Sequence, residues 1–114
     1  MSNENDIKEV EISIDQAKAA IKRGECLSRL EKNPDWKELI TEGYLQKQAV
    51  RQVMVRASTH DPRTIADCDQ QIIAIGQFNQ YLMAVAAMGS NAAAALVRDE
   101  NTLEELLQEG IDNE

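Results

Sequence analysis

His60 is the only histidine in the chain and the side chain best suited by type to proton transfer near neutral pH. It stands beside Asp61 in Ser58-Thr59-His60, a stretch that reads as a short turn. A lone loop histidine next to an acid is far more often a cap or surface residue than a catalyst. Cys26 and Cys68 are nucleophile and metal-ligand types, but they lie far apart with no base in predicted reach and no metal spacing. Both read as reduced thiols, with Cys68 packed in a helix face. Asp67 and Asp69 fall on different sides of a helix, and Glu104-Glu105 fits no calcium loop. Gly24, Gly43, Gly76, Gly89 and Gly110 are scattered singly, so no glycine loop cradles a phosphate. The chain therefore reads as a non-enzyme without cofactor or metal. Trp36 with Tyr44 is the remaining candidate, as an exposed aromatic anchor for a partner. The plainer reading, which is preferred, has Trp36 pinning a helix start.

The elements that position these residues read as helices. Val10, Ile12 and Ile14 alternate with polar residues, which suits a lead-in segment or a strand added to a partner's sheet edge. The lead-in is preferred, since a single strand has no mate in this chain. Ser13 and Gln16 form a capping box, predicting a first helix from Ser13 with Ile14, Ala17, Ile21 and Gly24 on one face. Gly24 costs such a helix about 1 kcal/mol relative to Ala. Asn33-Pro34-Asp35 ends it and starts a second helix over 34–58, because Asn caps and Pro suits the first helical position. Its broad apolar face is predicted to hold Trp36, Leu39, Ile40, Gly43, Val50, Val53, Met54 and Ala57.

Asp61-Pro62 repeats that logic and opens a third helix over 62–88. There Ile65, Cys68, Ile72, Ile75, Asn79, Leu82, Ala86 and Gly89 make an unbroken 3-4 heptad seam. Asn79 is a polar seam residue of the kind that fixes register. The short turn predicts that helices two and three form an antiparallel hairpin. Gly89-Ser90 is read as the end of this helix and Asn101 as the cap of a last short one stopped by Gly110.

Aromatic residues are few, and the apolar residues are mostly Ala, Ile, Leu, Val and Met, a composition suited to helix packing. The net charge of −8 sits at the ends: −3 over 1–12 and −7 over 99–114, with +2 between. A nearly neutral body argues against nucleic-acid binding. The polar start is no signal peptide, and no apolar run approaches the roughly 20 residues of a membrane span. The chain thus reads as a mobile acidic segment over 1–12, a helical domain over 13–98 and an acidic helix and tail over 99–114. The fold class is all-α, a small helical bundle built on the long antiparallel hairpin with a flanking N-terminal helix and short C-terminal helices.

The stretch Arg29-Leu30-Glu31-Lys32-Asn33-Pro34-Asp35-Trp36-Lys37-Glu38-Leu39-Ile40, followed by Glu42-Gly43-Tyr44-Leu45, resembles small conserved helical proteins of tailed bacteriophages of the podovirus type. Ile72-Ile73-Ala74-Ile75-Gly76 and the later Tyr81-Leu82 pair share the likeness, which spans about 13–88 and leaves out the acidic tail. No active site comes with it. The resemblance implies a phage accessory protein of the virion or its assembly, in the host cytoplasm or carried into the particle. Its partner would be a copy of itself, giving a homo-oligomer, or another phage or host protein, with no nucleic acid and no membrane. The candidate contact face is Ile65, Ile72, Ile75, Asn79, Leu82, Trp36 and Tyr44. The alternative function is a small acidic inhibitor of a host enzyme or defence complex.

Overall fold

The computed structural model describes residues 2–112, and all its elements are helical. They are α1 (Ser2–Lys32), α2 (Pro34–Trp36), a π-helical segment (Lys37–Gln48), α3 (Ala49–Ser58) and α4 (Pro62–Asp112). Contacts divide the chain into two units: residues up to Cys26 with those from Val85 onward, and Leu27–Ala84.

In the first unit, α1 begins at Ser2 and not at the predicted Ser13. The reason is a helical seam hidden under the apparent alternation. Ile7, Val10, Ile14, Ala17, Ile21 and Gly24 follow 3-4 spacing, with Ile14 and Ala17 buried and the others half-buried. Ile12, which the alternation would also bury, is 57% exposed. Residues 2–12 are thus the first turns of α1, in place of the separate mobile segment expected; Met1 lies outside the described residues. Ser13 caps nothing, and its hydroxyl donates to Oδ2 of Asp99 at 2.6 Å.

The α4 side of this unit carries Val85, Gly89, Ala92, Leu96, Asp99, Leu103, Leu106 and Gly110, again at 3-4 spacing and all buried or half-buried. Gly89 does not end the helix, Asn101 does not cap a new one, and Gly110 does not stop it. The expected short C-terminal helices are the last turns of α4; Asn113 and Glu114 lie outside the described residues. Gly89 serves another purpose. A Cβ there would sit 3.2 Å from Cα of Gly24 and 3.3 Å from the carbonyl oxygen of Ala20. A Cβ on Gly24 would come within 3.3 Å of Cα of Gly89. The two helices touch backbone to backbone at this glycine pair, which outweighs the intrinsic helix cost of each glycine.

In the second unit the two proline starts form as predicted. Oδ1 of Asn33 accepts from the amides of Asp35 at 2.8 Å and Trp36 at 3.2 Å. Oδ2 of Asp61 accepts from the Thr64 amide at 3.3 Å and its hydroxyl at 2.7 Å. Leu27, Cys68 and Ile75 are buried, Ile65, Ile72 and Leu82 half-buried. The predicted seam departs at Asn79, which is exposed and whose amide meets Sδ of Met83 at 3.5 Å. Phe78 takes the inner position because its ring lies edge-on to Tyr44, with centroids 5.9 Å apart. Ala86 is likewise exposed while Val85 faces inward. The seam steps 3-4-3-3-4 here, a three-residue insertion of the kind that locally overwinds a helix.

The glycines separate structural roles cleanly. Gly89→Val should lower the urea-unfolding free energy by about 1–3 kcal/mol, the usual cost of overpacking. Gly76→Ala, with nothing within 4 Å of the added Cβ, should instead raise it by up to about 1 kcal/mol. Equal effects of the two substitutions would contradict the close crossing.

Candidate functional site

The residues with chemical potential do not converge. His60 is exposed in the turn, and its neighbour Asp61 is occupied in capping α4. Cys68 is buried and Cys26 exposed, in different units and in no disulfide. Among the described residues no three acidic, histidine or cysteine side chains gather to hold a metal. A shallow depression on α4 is lined by Glu104, Glu105, Leu107, Gln108 and Ile111, all from its own last turns. These observations direct attention to surfaces.

The π-helical segment sets the most unusual of them. Its i→i+5 bonds put more residues in each turn than the 3.6 of an α-helix. Each residue therefore advances less than about 100° around the axis. Over the twelve residues of Lys37–Gln48 this lag accumulates to a large fraction of a turn. Everything downstream is rotated relative to the face that an α-helical reading assigns.

The consequence appears in α3. Val50, Val53, Met54 and Ala57 share one helix face by their 3-1-3 spacing. That face was predicted to be internal, yet Val50 is 61%, Val53 50% and Met54 61% exposed, and Ala57 is exposed too. Gln52, on the opposite side, is buried at 9% exposure. Gln48 is half-buried, and its amide donates to Oε1 of Gln71 at 3.3 Å. Full burial of a Val or Met side chain is worth roughly 1.5–3 kcal/mol. Turning three of them outward while turning a glutamine inward is a cost that a covering partner would offset.

Polar contacts of α3 match this orientation. Nε of Arg56 donates to Oδ1 of Asp69 across the turn. That hydrogen bond, with the carboxylate's charge, raises the Arg56 pKa above its ordinary value. Lys47 and Arg51 border the exposed apolar stripe. The sequence-derived contact residues sit elsewhere: Ile75 is buried, Ile65, Ile72 and Leu82 are half-buried, and only Asn79 is exposed. Trp36 is half-buried, and Tyr44 is occupied by Phe78, so this pair is no open aromatic anchor.

Along α4, Gln70–Val97 contains no charged residue. Ile73, Tyr81, Met83, Met88 and Val97 in that run are each more than half exposed. By length and composition alone this helix is long and apolar enough to cross a membrane, although no apolar run was expected to approach that length. Comparison with family models, curated proteins and solved structures gives no match.

One titration follows from the turn. The Thr64 hydroxyl, donating to Asp61, holds that carboxyl below its ordinary value, helped by the Thr64 and Arg63 amides and opposed by desolvation. A depressed folded-state pKa adds stability that is present above the unfolded value and lost as pH falls through the folded one. The urea midpoint should therefore decline on acidification below the ordinary aspartate range. Asp61→Asn should remove this residue's share of the decline. An unchanged acid profile in that variant would rule out the cap as a contributor.

Proposed function

We propose that this protein is a non-enzymatic assembly component that works by binding further copies of itself, with the α3 stripe as the contact. The observation that carries the reading is the outward turn of Val50, Val53 and Met54 beside a buried Gln52. A second copy suits the stripe by charge. Lys47 and Arg51 give the stripe a basic border. The last turns of α4 offer the complement: Val97, Leu107 and Ile111 are exposed at helical spacing among Glu100, Glu104 and other acids.

The pairing of α2 to α3 against the start of α4 as an antiparallel hairpin belongs to the same reading. Tyr44 with Phe78, Gln48 with Gln71 and Arg56 with Asp69 support it, since rising positions on one side meet falling positions on the other. A stripe meeting a different surface on the next copy makes a heterologous contact, which closes into rings or propagates. Such repetition fits a bacteriophage virion or assembly component, the role implied by the resemblance of 13–88 to small helical phage proteins.

Sedimentation velocity over a concentration series tests this. The wild-type chain should form a defined oligomer that dissociates as salt rises, because the acidic and basic borders are screened. Val50→Asp with Met54→Asp should leave a folded monomer at every concentration. A wild-type chain that stays monomeric at high concentration, or an oligomer indifferent to both substitutions, would overturn the proposal. An oligomer lost only in detergent would indicate instead that the uncharged run of α4 meets lipid.

A further inference from the structure

We infer that the last turns of α4 seat the α3 stripe of the next copy with both helices running in the same direction, Lys47 at Glu100, Arg51 at Glu104 and Met54 at Leu107. This rests on the self-association proposed above and gives that contact its direction and register. A matched pattern carries it. From the end of the π-helical segment into α3, Lys47, Arg51 and Met54 stand at i, i+4 and i+7 along one helix side, as base, base and apolar residue. On α4, Glu100, Glu104 and Leu107 repeat the spacing as acid, acid and apolar residue. All six side chains are exposed. Their charges are also uncommitted: Arg56 is paired with Asp69, whereas Lys47, Arg51, Glu100 and Glu104 make no ion pair with any described residue. α3 itself contains no acid, so a second α3 stripe offers these bases no counter-charge.

The order of residues sets the direction. In a parallel arrangement the two triplets stay in step over roughly 10 Å, at 1.5 Å per residue. The bases then meet the acids, and further along Leu107 and Ile111 cover Met54 and Ala57. The shallow depression beside Leu107 and Ile111 is where that apolar contact falls. An antiparallel arrangement sets Lys47 and Arg51 against Ile111 and Leu107, and Met54 against Glu104. Charges would then lose water to apolar neighbours without gaining a partner, which is costly.

Charge reversal at these exposed positions leaves both helix interiors alone. Full-length chains carrying Lys47→Glu with Arg51→Glu, or Glu100→Lys with Glu104→Lys, are compared by sedimentation velocity at low salt, with circular dichroism reporting helix content. Each variant alone should associate at least about tenfold more weakly than wild type, since like charges then face one another. An equimolar mixture of the two should recover wild-type association, because the reversed α3 of one chain meets the reversed α4 of the other. For the direction, Glu100→Lys should rescue Lys47→Glu in a single chain, and Asp112→Lys should not. Rescue by Asp112→Lys instead would overturn the parallel register. If the α4 variant associates like wild type while Val50→Asp with Met54→Asp does not, self-association stands and this seat is overturned. Failure of the mixture to recover, with both variants folded and weakened, would also overturn the pairing. A wild-type chain that is monomeric at every concentration would overturn both the seat and the self-association.

Discussion

The wide register of the helix over Lys37–Gln48 is the constraint on which the rest of this surface depends. From it follow the lag of the helix over Lys37–Gln48, the rotation of α3, the inward Gln52 and the outward Val50, Val53 and Met54. Arg56 then reaches Asp69, and Tyr44 meets the edge of Phe78. The exposure of this stripe thus follows from backbone geometry upstream of it.

A pair of glycines in the other unit plays a contrasting part. Gly24 and Gly89 bring two helix backbones into contact, and neither alters helix register. Both helices run through this point unbroken. A scattered glycine therefore takes its role from what faces it: this pair narrows a crossing, and Gly76 faces open space.

Much of the local structure was legible in the sequence because it rests on local chemistry. Asn33 and Asp61 cap as their side chains and following prolines demand. The seam through Ile65, Cys68, Ile72 and Ile75 follows from 3-4 spacing. Other features depend on long-range context. Gly89 carries a helix-stop signal, and only the facing Gly24 backbone, far away in sequence, reverses its meaning. Val10, Ile12 and Ile14 fit a period of two, and adding Ile7 was needed to show the helical period. Asn79 lost its seam place to Phe78 because Tyr44 supplied a ring partner. The outward stripe of α3 was not legible because periodicity assumes 3.6 residues per turn, and Lys37–Gln48 does not keep it.

The reading of the surface stands or falls on that register. Scalar couplings across backbone hydrogen bonds, measured by NMR on a dilute isotope-labelled chain, report it atom by atom. The account predicts a coupling from the Gly43 amide to the Glu38 carbonyl, five residues back. A coupling to the Leu39 carbonyl in its place, four residues back, would show an α-helical turn and contradict the origin assigned here to the exposed stripe.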